Sequence, residues 1–405
     1  MSKIIAQLKS FNANRLPEMV KLKYEAMAEN AFRFFRGTCH IFYARLSKLK
    51  IPKSPSVWIC GDLHLENFGS YKADNKLVYF DLNDFDEAAL APALWEVLRL
   101  LASIFIAFDS LGIGDEQAMN MALLFIKSYS STLKEGKAIN IDPRTAKGIL
   151  KDFLKNAEES TYAQILHKRT AIAEDKVSLS LQHEKHFKLD KALKKELKAH
   201  MEEWIKTSSD GPYNYKVKDV VFRLAGTGSV GVKRYLFLLK STNTKGKFLL
   251  VEMKQCLPSS LAPYHKIEQP NWETEADRVI STQKRMQHMS AALLSATVFR
   301  AEAFLIQELQ PVKDTLVFKM ISDNYRDIYQ VIHDMGVLTA SAQLRSGGIS
   351  GSATIDELMK FGQSQSHWQD KTLETARQLA DQTNQDYQEF LSARDAQSSG
   401  IFDVG

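Results

Sequence analysis

Apolar and polar positions alternate at helical spacing at both ends of the chain and at strand spacing in the middle. The run MVKLKYEAMAENAFRFFRGTCHIFYARL has apolar residues every third or fourth position and no proline after Pro17, so it predicts a helix over 17–48. Pro52 and Pro55 then break the chain, and VWIC (57–60) and LVYF (77–80) read as short buried strands around a turn at 72–76. A helix is expected over 92–108, with Pro92 in its first turn, and another from Asp115, a candidate N-cap, to about Tyr129. RTAKGILKDFLKNA and KALKKELKAHMEEWIK continue the helical pattern. The period changes after SSDGPYNY (208–215). There YLFLL and FLLV flank the turn STNTKGK, a hairpin signature. A helix over 273–288, strand-like ATVFRAEAFLIQEL and helices from Asp327 to Asp395, interrupted at SGGISGS, complete the chain. The pattern predicts an α+β protein in three stretches: helical 1–215, β-rich 216–312 and helical 313–405, the middle one inserted between two pieces of a larger helical lobe.

Composition narrows the class only slightly. The 405 residues include 44% hydrophobic and 25% charged residues and carry a net charge of +5, which suits an anionic small ligand. Cys39, Cys60 and Cys256 lie far apart with no CxxC pair, which argues against a disulfide framework or structural zinc and for a reducing compartment. ALWEVLRLLASIFIAF is too short for a membrane span and carries Glu96 and Arg99, and the first residues lack a signal-peptide pattern, so a cytoplasmic protein with no membrane partner is expected. The lysines of KLDKALKKELKAH are interrupted by Glu196 and are expected to form a solvated face, not a nucleic-acid surface. His183 and His186 lack a nearby third ligand and are expected to be structural or exposed.

GTGSVG (226–231) matches G-x-G-x-x-G. A strand-like segment follows it, so the glycines are expected to join two antiparallel strands, the setting in which a kinase's Gly-rich loop brings backbone N–H groups to the phosphates of ATP. An ordinary glycine-rich turn is the competing reading. FLLVEMK ends on Lys254, a charge that needs a carboxylate or an anion if buried. Glu273, Glu275 and Asp277 on the next helix offer that carboxylate, Glu275 being preferred. Glu308, in QELQP after a strand, is placed at a hinge that accepts the adenine edge.

The stretch GDLHLENFGSYKADNKLVYFDLNDFDE concentrates hard oxygen ligands. Phosphoryl transfer requires Mg²⁺ ligands and a carboxylate aimed at the attacking hydroxyl. Asp62 and Asn67, on a loop after a strand, can supply the base and one metal ligand, Asp81 a second, and Asp84 can share that role. RFFRGT (33–38) is read as core phenylalanines with arginines paired to carboxylates such as Asp86 or Glu87, Arg36 having a phosphate as the other possibility.

GDLHLEN, YFDLNDFD and PALWEVLRLLAS resemble the G-D-x-H-x-x-N and I-D-[WF]-x-D segments of aminoglycoside and choline kinase-like phosphotransferases. FRFFRGTCHIFY, CGDLHLENFG, VYFDLNDFDE, the GTGSVG hairpin and RVISTQKRMQ together are similar to a bacterial family known as domain of unknown function 2252. The resemblance implies a protein-kinase-like two-lobed fold. Because Asp62 precedes Gly226, and because DIYQVIHDMGVLTASAQLRSG near the C-terminus resembles the helix that leads into a catalytic loop, it implies a circular permutation. It implies ATP and Mg²⁺ as cofactors: Asp62 at the acceptor hydroxyl of a small molecule or protein, Asn67 and Asp81 on the metal, Gly226, Gly228 and Gly231 with Thr227 and Ser229 over the phosphates, and Lys254 paired with them. His64 braces the loop. The chain differs from the pattern at Cys60 and Gln343, where related sequences carry histidine. The alternatives are AMP transfer from a reversed nucleotide, and a pseudokinase-type binding module. The joint presence of Asp62, Asn67, Asp81 and Lys254 favours turnover.

Overall fold

The computed structural model describes residues 3–159, 162–173, 176–226, 228–309, 318 and 323–395. It is a mixed α+β protein. The N-terminal pattern forms three helices, α1 (Lys3–Asn12), α2 (Pro17–Met27) and α3 (Ala31–Gly37), followed by α4 (Cys39–Leu46). The single helix expected over 17–48 is thus cut twice. Asn30 caps α3 by accepting from the Arg33 N–H, and Thr38 separates α3 from α4 with its hydroxyl donated to the Phe34 carbonyl.

Strand β1 (Ser56–Ile59) enters the first polar loop. It pairs antiparallel with β4 (Ala89–Pro92), while β2 (Phe68–Lys72) and β3 (Val78–Leu82) form a hairpin in which Gly69 faces Asp81. Helix α5 (Ala93–Ser110) is buried from Ala93 to Phe108 and runs through the centre of the largest apolar cluster. Against it packs α6 (Asp115–Glu135), which starts with Asp115 inside the helix and Gly114 at the cap, while α7 (Gly148–Glu159) joins the same cluster through the β2–β3 hairpin.

Next come α8 (Tyr162–Arg169) and the hairpin β5 (Thr170–Ala173) and β6 (Lys176–Leu179), whose short strands were not evident from the pattern. After β7 (His186–Phe187), α9 (Lys191–Thr207) buries Leu197, Met201, Trp204 and Ile205 against β8 (Tyr215–Arg223), leaving most of its lysines at the surface. Then follow β9 (Arg234–Ser241), β10 (Phe248–Gln255), α10 (Glu275–Met286), β11 (Ser295–Phe299) and β12 (Glu302–Glu308). They complete an antiparallel six-stranded sheet in the order β11-β12-β10-β9-β8-β7. Its apolar face has its own core with α9. Helices α11 (Tyr325–Arg345), α12 (Ile355–Gln363) and α13 (Gln369–Asp395) return to the first helical body. The Ala353 N–H donates to the Ser56 carbonyl at 2.7 Å, so the segment after α11 lies against the start of β1. Among the described residues no helix is long and apolar enough to cross a membrane.

Candidate functional site

The two polar loops of the first helical body and the glycine loop of the sheet border one cavity of about 90 Å³. Asp62, His64 and Asn67 line it from the loop after β1, and Asp84, Asp86 and Glu87 from the loop after β3. Gly226, Gly228 and Ser229, between β8 and β9, close it from above; a Cβ on Gly228 would lie 3.9 Å from Asp62 Oδ2. Thr227 falls outside the described residues.

Local geometry explains how the Asp62 loop is held. Gly61 has φ of +86°, and a Cβ there would overlap the Glu87 carbonyl oxygen, so only glycine lets the two loops touch. The Tyr43 hydroxyl donates to the Gly61 carbonyl at 2.5 Å. Below, the fully buried Glu96 of α5 accepts from the Cys60 N–H at 2.6 Å and from Gln343 Nε2 at 3.1 Å, and Gln343 accepts from the Tyr129 hydroxyl at 2.6 Å. This buried chain supports the loop through Cys60 and Gln343. One turn along α5, Arg99 donates to Asp62 Oδ1 from Nε at 2.9 Å and Nη2 at 2.7 Å, and from Nη2 to the Phe35 carbonyl at 2.9 Å. Its guanidinium lies 3.5 Å from the Phe35 ring centroid. Burial pushes the Asp62 carboxyl above its ordinary range, and Arg99 opposes that shift.

His64 caps the short 3₁₀ turn of residues 65–67, its Nδ1 accepting from the Glu66 N–H at 3.1 Å. Burial, with Arg36 and Arg99 nearby, holds its pKa well down, so it is neutral and acts as a brace. The Asn67 amide donates to the Asp62 carbonyl, which leaves its oxygen as the acceptor end.

Lys254, near the end of β10, forms an ion pair with Asp86 and lies 3.5 Å from Asp84 Oδ1. Burial works against its charge, but Asp84 and Asp86 outweigh it and hold the ammonium pKa above its ordinary value. Burial pushes the Asp86 carboxyl up, helped by Asp84 and opposed by Lys254. Glu275 does not reach Lys254; it pairs with Arg278 Nε at 2.6 Å. Arg278 in turn donates to the Asp86 and Leu257 carbonyls at 2.9 Å and to the Ala88 carbonyl at 2.6 Å, tying α10 to the carboxylate loop.

Asp81 lies away from the cavity. It is 2% exposed, bonded to Arg345 Nη2 at 2.9 Å and to the Leu82 N–H at 2.9 Å. Its position within β3, facing Gly69, directs it to α11, and the two carboxylates that follow on the loop take the cavity side. Glu308 borders a different, smaller cavity with Tyr71, Asn83, Gln283 and Gln287; burial raises its pKa. Gln310 and Pro311 are outside the described residues. Gly231 has φ of +90° and packs on Arg15. Of the RFFRGT arginines, Arg36 lines the cavity but pairs with Glu66, and Arg33 pairs with Glu29 at 3.1 Å. His183 and His186 stack at 4.2 Å.

Sequence reasoning missed Glu96, Arg99 and Arg278 as site supports. The signal was present for the first two: a carboxylate and a guanidinium three residues apart in an otherwise apolar helix must face each other's partners in the interior. Arg15 and Lys23 were also missed, and nothing in their local sequence marks them; Glu87, expected as a partner of the RFFRGT arginines, lines the cavity instead.

The arrangement is a set of hard oxygen donors and a paired lysine beneath a glycine loop, a site suited to a metal-bound anion. Among the described residues no three His, Cys, Asp or Glu side chains are grouped to hold a metal by themselves. Mg²⁺ commonly uses one or two carboxylates and completes its shell with water and phosphate oxygens, so Asp84, Asp86 and the Asn67 amide oxygen suit it by chemistry and number. Residues 15–393 match the model of the family described as "Uncharacterized protein conserved in bacteria (DUF2252)", and the chain belongs to that family. No curated protein and no solved structure matches the chain.

Proposed function

We propose that the chain is an ATP- and Mg²⁺-dependent phosphotransferase of protein-kinase-like plan, circularly permuted, acting on a hydroxyl of a small molecule or protein. The observation that carries this reading is the meeting at one cavity of Gly228, Asp62 and Asp86, the ion-pair partner of Lys254, although 166 positions separate Asp62 from Gly228.

Element order supports it. Strand β8, the glycine loop, β9, Lys254 on β10, helix α10 and then β11 and β12 follow the order of a kinase's nucleotide-binding lobe. Strand β1, the Asp62–Asn67 loop, the β2–β3 hairpin and Asp84-Phe85-Asp86 follow the order of a catalytic loop and a metal loop. The contact of Ala353 with Ser56 brings the segment after α11 to the start of β1, the junction a permuted chain requires. The metal role then passes from Asp81 to Asp84 and Asp86, with Asn67.

Mg²⁺, when bound, supplies charge neutralisation at the phosphates. The chain's own groups divide the remaining work. Arg99 fixes Oδ1 of Asp62 and leaves Oδ2 directed toward the glycine loop. There Asp62 orients the acceptor O–H and takes its proton as the oxygen–phosphorus bond forms and the bridging bond to the β-phosphate breaks. Lys254 moves its charge from the carboxylates to the phosphates. The glycine loop excludes water. A volume of about 90 Å³ is well below the roughly 300 Å³ at which ligand pockets begin, so the loop lifts to admit a nucleotide.

Incubation with γ-labelled and α-labelled ATP and Mg²⁺, alongside calorimetric binding, tests the proposal. Transfer of label from the γ position only, lost in Asp62→Asn, is the expected result. Transfer from the α position indicates AMP transfer, binding without transfer indicates a binding module, and absence of binding overturns the nucleotide reading altogether.

A further inference from the structure

Three basic side chains converge on Phe11, at the end of α1, which itself lines the cavity. His40 stacks on its ring with centroids 3.7 Å apart and planes within 6°. The Arg15 guanidinium lies 5.2 Å from the ring centroid and the Lys23 ammonium 5.4 Å. Lys23 is fully buried, yet its partners are neutral: Asn12 Oδ1 at 3.1 Å and the Gly228 carbonyl at 3.2 Å. Arg15 donates to the same Gly228 carbonyl at 2.7 Å and to the Val230 carbonyl at 2.6 Å. Neither cation pairs with a carboxylate among the described residues. Both ring nitrogens of the buried His40 lack a partner among the described residues.

A fully buried Lys23 and a half-buried Arg15 whose hydrogen bonds go to backbone and amide oxygens are costly to maintain, since a buried charge is ordinarily matched by an opposite one. Burial, reinforced by the neighbouring Arg15, holds the Lys23 pKa well below its ordinary value, which an arriving anion would reverse. The same cavity carries Asp62, Asp84, Asp86 and Glu87. It therefore offers carboxylates for a cation as well as Arg15, with Lys23 behind it, for an anion.

We propose that Arg15 and Lys23, backed by Phe11 and His40, form a phosphoryl-binding site that exchanges the Gly228 carbonyl for a phosphate oxygen when ligand enters. This deepens the phosphotransferase reading and rests on it for the source of the phosphoryl group, but not for the anion site itself. A phosphate oxygen brings the opposite charge that the Gly228 carbonyl, a neutral dipole, lacks, so the exchange gives both cations an ionic partner and releases the glycine loop.

The test uses inorganic pyrophosphate with EDTA, read by equilibrium dialysis and by the ligand-induced rise in melting temperature. Wild type is expected to bind at millimolar concentration or below, and the double variant Arg15→Gln/Lys23→Met to bind at least about tenfold more weakly. Asp84→Asn/Asp86→Asn should keep pyrophosphate binding. Should the first double variant not fold, Arg15→Gln alone is read the same way. Equal binding by wild type and the Arg15 and Lys23 variants, or no binding by wild type, overturns the site. Competition by ATP assigns the site to the nucleotide's phosphates, and simultaneous binding assigns it to a phosphate on the acceptor; either supports it. Pyrophosphate binding without any binding of ATP and Mg²⁺ leaves the anion site standing and sinks the nucleotide reading.

Discussion

Lys254 on β10 is paired with Asp86 on the loop after β3, and Asp84 lies within 3.5 Å of the same ammonium. The sheet is thereby tied to the loops of the helical body through the site itself. Lys254→Met is expected to lower phosphotransfer by 100-fold or more, on the order of 3 kcal/mol of barrier. It should also lower the melting temperature by leaving Asp86 unpaired. Glu275→Gln, by contrast, removes only the partner of Arg278 on a partly exposed first helical turn and should change stability by less than about 1 kcal/mol, with turnover unchanged. Label transfer and thermal melting of both variants check the assignment. A large loss of activity in Glu275→Gln with none in Lys254→Met would reverse it.

Asp62 gives a pH signature with a definite sign. Burial raises its carboxyl pKa and Arg99 restrains the rise. Proton acceptance needs the ionised form, so the acid limb of the rate profile should lie above the ordinary carboxylate range. Replacing Arg99 with Lys keeps a charge but loses the two-nitrogen grip. The limb should then move further up in pH, and the maximal rate should fall. A limb that stays in place in Arg99→Lys, or activity surviving in Asp62→Asn, would remove Asp62 from the role.

Stability linkage through Asp62 runs opposite to the rate as pH rises. A carboxyl with a raised folded pKa binds its proton more tightly in the native state, so its contribution declines as pH rises from the unfolded value through the folded one. Asp62→Asn should remove this decline. Chemical denaturation across the acidic range, compared with wild type, is the measurement.

Gly61→Ala should be among the most damaging single substitutions. It places a Cβ onto the Glu87 carbonyl and forces an L-residue to φ of +86°. A loss of about 3 kcal/mol or more is expected, with the drop in melting temperature several times that of alanine at Gly112, where the space beside the glycine is open.

Glu96→Ala should weaken the same loop from beneath. It orphans the Cys60 N–H and one Gln343 donor in the interior, at about 1–3 kcal/mol for each unsatisfied group. Glu96→Gln retains an acceptor and should lose less.

The element pattern was legible wherever one face is apolar and long. The hairpin of β9 and β10 and helix α10 follow directly from period and turn chemistry, whereas the strand-like stretch ATVFRAEAFLIQEL gave no sign that it folds back as two strands, β11 and β12. The breaks at Asn30 and Thr38 were not, because capping overrides an uninterrupted apolar period, and β5 and β6 are too short and too exposed to show one. At the site, Asp62, Asn67, Asp84 and Lys254 were visible because unusual residue types stood beside strands. Which aspartate faces inward was not visible: Asp81 and Asp84 differ only in lying within the strand or beyond it, and Arg345, 264 residues away, decides the matter. Arg15 and Lys23 sit in an ordinary amphipathic stretch, and only folding brings them to the Gly228 carbonyl.

That shared carbonyl makes the resting protein its own competitor. Gly228 occupies both cations with a neutral dipole while the loop sits over Asp62, so a ligand cannot simply diffuse into a waiting vestibule. Occupancy becomes a replacement reaction whose pace is set by how often the backbone lets go. The rate of association should therefore saturate with ligand concentration instead of rising without limit.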